Sequence, residues 1–391
     1  MGWSSKKLSV KKIKVISFNN YPVVDKVKAR LSKWKVRHLS FAGRLTLLKS
    51  VLGSIPSYYL SLFYAPKSIV NKIDRIRKDF LWGITDTKKK LRWARWDFML
   101  SSKKAGGLGI GRIRDFNLAM LTKWWWRFKS NPNQLWAEVI AGIHKNNSGD
   151  QLIPIKISVP GVWKDIGGMK QVLEKMGIII GDNLILKDGC WSWRSNKDKT
   201  FSVKQVRIDI EGSLGTDSSS TSLFDWNIWS PPKVKLLMWR ALLGKVASKV
   251  GLDHRGISVP DVSCPRCGIN AEHPDHIFFN CLWARSLWWN VLSWVRLKFP
   301  LHCASLSALV SYIKETPGGR VWKKLVQMIV AAMVWRIWSA RNAKVFEGKF
   351  IPIRQSVDLV KEDTFLWICN RSKLKKLSWE NWDKFDVVDL M

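Results

Sequence analysis

The chain has 391 residues, 46% of them apolar, with 66 Lys and Arg against 30 Asp and Glu and a formal net charge of +36. This composition excludes an intrinsically disordered chain and leaves room for two or three packed domains. Six irregularly placed cysteines, a Lys-rich N-terminus without an apolar leader and the lack of a 20-residue apolar run predict a nuclear or cytoplasmic protein in a reducing compartment, neither secreted nor in a membrane.

The basic excess is largest in the first hundred residues, which hold 23 basic and 5 acidic side chains and no Glu. A polyanion would relieve this self-repulsion, so the charge favours a nucleic-acid partner over a basic scaffold whose charge serves only solubility. The candidate phosphate contacts are Lys33, Lys35, Arg37, Arg44, Lys88, Lys89, Lys90, Arg92 and, much further along the chain, Arg266.

Apolar spacing predicts a first helix over about 24–53, interrupted at Pro56, and a second from Pro66 or Ser68 to Trp82. The glycines between Gly106 and Gly111 match neither of the phosphate-binding patterns G-x-x-x-x-G-K-[ST] and G-x-G-x-x-G. A turn leading into a helix near 117–128 explains them better.

The middle of the chain, 146–200, contains β-branched runs between Gly, Pro and Asp, which predict short strands and loops. A Gly- and Ser-rich connector follows at 212–222. Helices are then predicted from 231 to about 243, over 284–297 and over 320–346, and the last should be buried because it is apolar nearly all round between Leu325 and Trp335.

Tryptophan is abundant, with 25 copies, and many lie beside Lys or Arg, as in Lys123-Trp-Trp-Trp-Arg127. Such interleaving could stack bases between phosphate contacts. Trp is also a large core residue whose edge Lys and Arg stems cover, and for any single Trp the core interpretation is preferred.

Three cysteines and a histidine lie within eighteen residues, in the pattern C-x2-C-x8-H-x4-C formed by Cys264, Cys267, His276 and Cys281. Thiolates and imidazole are the ligands of structural Zn²⁺, and four protein ligands leave no open position for a catalytic water. His273 is also within reach of such a site, and a set of reduced, buried cysteines without metal is the alternative.

Several stretches together resemble the C-terminal part of plant LINE-type (non-LTR) retrotransposon reverse transcriptases. They are 31–35, 39–59, Phe80-Leu-Trp-Gly83, 106–110, Phe201-Ser-Val-Lys204, Pro232-Lys-Val-Lys235, the Cys264–Cys281 loop and Trp335–Asn342. Mapped onto the family's pattern, the ligands of the reverse-transcriptase zinc-binding domain are Cys264, Cys267, His276 and Cys281.

The resemblance implies a mainly α fold (α+β overall) in four segments. These are a basic helical thumb- or connection-like region (1–145), a short-strand and loop segment (146–200), the zinc-binding-like domain with its small Cys3His module (201–295) and a helical C-terminal region (296–391).

The sequence departs from the family where catalysis would occur, because it contains no Asp-Asp pair to hold the two metal ions of a polymerase. We therefore expect a non-catalytic chain that binds RNA or an RNA–DNA duplex through basic helices and a zinc-stabilised module. The alternatives are a protein-interaction scaffold, whose partner would be upstream polymerase domains supplied in trans, and a degenerate product without activity.

Overall fold

The computed structural model describes residues 23–32, 39–50, 57–84, 90–144, 152–156, 158–196, 200–213, 225–226, 228–372, 374 and 377–387. Within these ranges the protein is mainly helical with one two-stranded sheet, which confirms the predicted fold class. The chain divides into two compact units, residues 1–91 with 96–219 and residues 92–95 with 220–391.

The described part of the first unit is helical apart from one hairpin near its C-terminal end. Its helices are α1 (Val23–Ser32), α2 (Phe41–Ser50), α3 (Ser57–Leu62), α4 (Lys67–Trp82), α5 (Trp96–Leu100), α6 (Ile113–Ser130), α7 (Leu135–His144), α8 (Val162–Glu174), α9 (Ile180–Asn183) and α10 (Val203–Ser213). The helix predicted over about 24–53 is therefore represented by α1 and α2, with residues 33–38 and 51–53 outside the described ranges.

Helix α4 follows the sequence signals closely. It begins directly after Pro66 and ends at Gly83, whose φ of +67° gives the left-handed cap that glycine adopts without strain. The Gly83 amide donates to the carbonyl of Phe80. The predicted helix boundaries are confirmed.

The glycine-rich stretch forms a turn into α6, as predicted. Gly106, Gly109 and Gly111 all have positive φ, between +64° and +80°. Their backbone is held by cations of the same unit, since Lys49 donates to the carbonyl of Leu108 and Arg77 to that of Gly111. The turn thus presents its carbonyls to a half-buried lysine and a buried arginine of the same unit, not to a ligand.

The three consecutive tryptophans of α6 are packing residues. The indole N–H groups of Trp124, Trp125 and Trp126 donate to the backbone carbonyls of Ser61, Ile166 and Trp191, at 2.6, 3.0 and 2.7 Å. Each ring therefore fixes a different segment of the first unit against α6, and the preferred core interpretation holds for this cluster.

The segment 146–200 contains less strand than its β-branched runs predict. Strands β1 (Leu184–Lys187) and β2 (Cys190–Trp193) pair antiparallel, with Lys187 opposite Cys190. The connecting Asp188 and Gly189 both have positive φ, the geometry of a two-residue hairpin turn. The described part of the segment contains no further strand, and much of it is helical, in α8 and α9.

The second unit is built around one long helix. Its elements are α11 (Pro232–Leu242), α12 (Lys249–Asp253), a π-helical turn (His276–Asn280), α13 (Leu282–Trp294), α14 (Leu306–Glu315), α15 (Arg320–Glu347), α16 (Ile353–Arg371) and α17 (Trp379–Asp383).

Helix α15 is the centre of this unit's core. Every residue from Leu325 to Val334 except Gln327 is buried, as the apolar sequence predicts. The same core contains side chains from both sides of the predicted segment boundary at 295/296. No helix in the described ranges is long and apolar enough to cross a membrane.

Candidate metal centre

Cys264, Cys267, His276 and Cys281 converge on one point of the second unit. Their four ligand atoms all lie within 4.8 Å of one another. The sulfurs of Cys264 and Cys281 are 3.9 Å apart, and the Cys267 sulfur is 3.3 Å from the His276 Nε2. Cys264, His276 and Cys281 are buried, and Cys267 is half-buried.

These separations fit a tetrahedral Zn²⁺. Zinc–sulfur bonds of about 2.3 Å and zinc–nitrogen bonds of about 2.0 Å place ligand atoms about 3.5 to 3.8 Å apart at tetrahedral angles. The cluster also has the donor set of a structural zinc site, three thiols and one imidazole. Because four protein ligands complete the coordination, the arrangement would stabilise the fold and would not activate water.

The first two ligands lie on a tight turn closed by backbone hydrogen bonds. The Gly268 amide donates to the Cys264 carbonyl at 2.8 Å, and Gly268 has a φ of +69°. Ser263 and Ala271 form an isolated antiparallel bridge across the base of this loop. The bridge and the left-handed glycine turn the chain back on itself, and so direct both sulfurs to the same side.

The other two ligands flank the π-helical turn. The Cys281 amide donates to the His276 carbonyl at 2.8 Å, the i to i+5 bond of a π turn. Cys281 also precedes the first residue of α13, where backbone N–H groups point toward its sulfur. Together with the hydrogen bond from the Cys264 thiol, they lower the pKa of Cys281, whereas that hydrogen bond and burial raise the pKa of Cys264 to about 12.

The two histidines that spacing could not distinguish, His273 and His276, lie in different environments. His276 is buried and belongs to the cluster, whereas His273 is exposed and lies outside it. The ring of His276 turns inward because it starts the π-helical turn, whose next three side chains, Ile277 to Phe279, are in the core.

Comparison with known proteins places this site in a family. A family model described as "zinc-binding in reverse transcriptase" matches residues 201–288, which include all four cluster residues. A protein of Arabidopsis thaliana named as a candidate ribonuclease H protein is 37% identical over 417 aligned residues, covering 87% of this chain and 66% of that protein. Through residues 201–288 the chain is therefore similar to the zinc-binding part of reverse transcriptases. It thus spans slightly less than two thirds of the length of this relative.

A second relative is shorter. An uncharacterized mitochondrial protein of Arabidopsis thaliana is 26% identical over 150 residues, 38% of this chain and 96% of that protein. Both relatives come from a plant, in agreement with the resemblance identified from the sequence motifs.

A buried ion pair between Glu272 and Arg341 connects the zinc-binding domain to α15. The sequence motifs do not indicate this contact. Glu272 lies between the second and third ligands and is fully buried. The guanidinium of Arg341 donates to its two carboxylate oxygens at 2.8 and 3.1 Å. The side chain of Arg341 is 6% exposed, so the pair is shielded from solvent on both sides.

Arg266, predicted to contact phosphate, has a structural position instead. Its guanidinium lies 3.8 Å from the ring centre of Trp283 and 4.2 Å from that of Phe350, and it donates to the Ile351 carbonyl at 2.8 Å. Burial between two rings lowers its pKa. With Zn²⁺ bound by three thiolates and an imidazole, the centre would carry a net negative charge that this half-buried cation, close to Cys281 and Cys264, would offset.

Arg44, another predicted phosphate contact, is also buried within the protein. It is 8% exposed, and its guanidinium donates to the carbonyls of Leu81 and Leu39 at 2.8 and 2.6 Å. An arginine committed to buried carbonyls in this way connects α2 to the end of α4.

The remaining predicted phosphate contacts fall into two groups. Lys90 and Arg92 are exposed. Residues Lys33, Lys35, Arg37, Lys88 and Lys89 lie outside the described ranges.

Proposed function

We propose that this chain is a non-catalytic, nucleic-acid-binding part of a retroelement reverse transcriptase, and that Zn²⁺ bound by its Cys3His centre supports the fold. The single observation that carries the proposal is that a complete set of four zinc ligands converges in a chain with a net charge of +36. A saturated ligand set supports a structural metal, and the charge supports a polyanionic partner.

RNA or an RNA–DNA duplex derived from the element is the proposed partner. Lys90 and Arg92 are exposed and belong to the basic run 88–92. The first two residues of that run lie outside the described ranges. Phosphate contacts of this kind give affinity without base specificity. The proposed location is nuclear or cytoplasmic.

The absence of catalysis is proposed from the sequence. Polymerase chemistry uses paired carboxylates that hold two metal ions at the primer terminus, and the chain contains no Asp-Asp pair. Primer extension on a primed RNA template, with nucleotides and Mg²⁺, should therefore yield no product. Extension by the purified full chain would overturn this part of the proposal.

Nucleic-acid binding has a quantitative signature in its salt dependence. Fluorescence anisotropy with a 30-nucleotide RNA, the same sequence as DNA and their hybrid should show affinity falling steeply between 50 and 200 mM salt, by about 10³-fold if six phosphates are contacted. Lys90→Ala should lower the affinity for all three nucleic acids to a similar extent. It should also reduce the magnitude of the slope of log K against log salt by about 1.

The matched control is Lys175→Ala, which removes an exposed lysine outside the basic run. It should leave both affinity and slope near those of the unmodified chain. A flat salt response, or no binding to any of the three ligands, would contradict nucleic-acid binding and favour a protein-interaction scaffold.

A further inference from the structure

The outer face of α13 carries a groove next to the zinc-binding module. It has a volume of about 340 Å³, within the usual range for sites that hold a small organic group. Its lining combines aromatic, aliphatic, amide, hydroxyl and guanidinium groups, contributed by Arg285, Ser286, Trp289, Asn290, Phe299 and Leu301.

Two adjacent tryptophans of α13 have opposite environments. Trp288 is fully buried and donates its indole N–H to the Phe278 carbonyl at 2.7 Å. Trp289 is 57% exposed, and Leu301 beside it in the groove is 75% exposed. Leaving an indole in water forgoes one of the largest gains in burial free energy available to a side chain, so this ring has no packing role comparable to that of Trp288.

The exposed indole of Trp289 packs against the ring of Phe299, which in turn packs against that of Phe279. Its ring centre is 5.8 Å from that of Phe299, with the planes inclined at 41°. Phe299 in turn is stacked parallel on buried Phe279, with ring centres 6.0 Å apart. Trp289 therefore stands on a rigid aromatic support, and little entropy is lost when a flat group stacks on it.

Positive charge accompanies the groove. The guanidinium of Arg285, one helical turn before Trp289, lies 5.3 Å from the Phe299 ring centre. Residues 276–314 contain four basic side chains and no Asp or Glu, and the exposed Arg296 and Lys298 lie in the segment between Trp289 and Phe299. A rigid exposed indole bordered by cations, with no nearby carboxylate in sequence, complements an anionic ligand that has an aromatic face.

We propose that this groove stacks an unpaired base of single-stranded nucleic acid on Trp289, with Arg285 near the adjoining phosphate. The inference rests on the proposed nucleic-acid binding and adds a preference for single strands at one defined site. A duplex keeps all base faces except those of its two terminal pairs stacked internally, whereas every base in a single strand can offer a face to the indole. Single-strand binding of this kind tolerates any sequence.

The test compares Trp289→Ala with Trp379→Ala in the full chain. Trp379 is a matched control because it is another partly exposed tryptophan of the same unit, on α17, and is not part of the groove. The probe is a 12-nucleotide single strand with 2-aminopurine at its centre, and a blunt duplex of the same length serves as comparison. Base stacking quenches 2-aminopurine fluorescence, and anisotropy gives the affinity.

The unmodified chain and Trp379→Ala should quench the probe, and Trp289→Ala should lose the quenching. Single-strand affinity should fall about 5- to 150-fold in Trp289→Ala, with duplex affinity unchanged. Trp289→Phe should recover part of both signals. As a second readout, ultraviolet cross-linking of a single strand containing 5-bromouracil should map to the peptide with Trp289.

Several results would overturn the inference. If the chain binds neither single strands nor duplexes, the proposed function fails together with it. If Trp289→Ala binds and quenches as the unmodified chain does, only the groove assignment fails and nucleic-acid binding stands. If Trp289→Ala converts a dimer to a monomer in sedimentation with single-strand affinity unchanged, the groove joins two copies of the chain.

Discussion

Replacing Cys267 by serine is expected to remove about one zinc ion per chain and to unfold the loop from 262 to 275, which precedes the core residues Ile277 to Phe279. A hydroxyl is a far weaker zinc ligand than a thiolate, and the remaining three ligands cannot close the tetrahedron. Residues 262–275 bury little apolar surface of their own, so the metal's binding free energy, of order 10 kcal/mol in small zinc modules, would supply most of the stability of this part of the loop. Elemental analysis of the purified protein measures the loss directly.

The controls for this result are already present in the chain. His276→Asn should lose zinc as Cys267→Ser does, whereas His273→Asn should retain it, because His273 is exposed and outside the cluster. Cys369→Ser alters an exposed cysteine of the same unit and should also retain full zinc content. Zinc retained by Cys267→Ser, or lost by His273→Asn, would refute the ligand set.

Replacing Arg341 by methionine is expected to destabilise the second unit by about 3–5 kcal/mol. The substitution leaves the carboxylate of Glu272 buried without its partner, and an uncompensated buried charge is more costly than the loss of the pair itself. Hydrogen exchange of peptides from the zinc loop and from α15 reports the local free energy of opening.

A second ion pair on the same helix provides the comparison. Arg336 and Asp363 also form a hydrogen-bonded pair, at 2.7 Å, but both side chains are more than 20% exposed. Arg336→Met should therefore cost less than about 1 kcal/mol. The double change Arg341→Met with Glu272→Leu should recover much of the loss, because it removes both buried charges. If Arg341→Met and Arg336→Met lower the free energy of unfolding equally, burial of the Glu272–Arg341 pair does not contribute to stability.

The sequence specified the metal centre better than the rest of the fold because its ligands are close in the chain. A turn, two cysteines and a downstream histidine and cysteine constrain each other over eighteen residues. Only the competition between His273 and His276 required coordinates, since a difference of three residues in a loop leaves both rings within reach. The burial of Ile277 to Phe279 decides it by turning His276 inward.

Contacts between distant segments could not be predicted in this way. Glu272 and Arg341 are 69 residues apart, and nothing in their local sequence indicates that they meet. The basic excess of the first hundred residues places Arg44 among the predicted phosphate contacts, although two backbone carbonyls hold it in the interior. Charge alone does not distinguish an arginine that binds phosphate from one that caps a neighbouring helix.

The middle of the chain shows a different cause of error. Gly167 and Gly168 weaken the helical signal of α8, and the β-branched runs before and after it favour strands by propensity. Packing of Trp163, Ile166 and Met169 into the first unit's core stabilises α8 despite its two glycines. The β1–β2 hairpin, by contrast, had a local signal in Asp188-Gly189, the dipeptide typical of two-residue turns.

The dual position of Cys281, as a metal ligand and as the residue from which α13 starts, makes the helix an extension of the coordination sphere. Trp289 lies eight residues beyond Cys281, a rise of about 12 Å along the helix axis. A zinc ion bound at Cys281 would fix where α13 starts, while the buried face of the helix sets its direction. Loss of the metal would then disturb, through the start of α13, a surface that no zinc ligand touches.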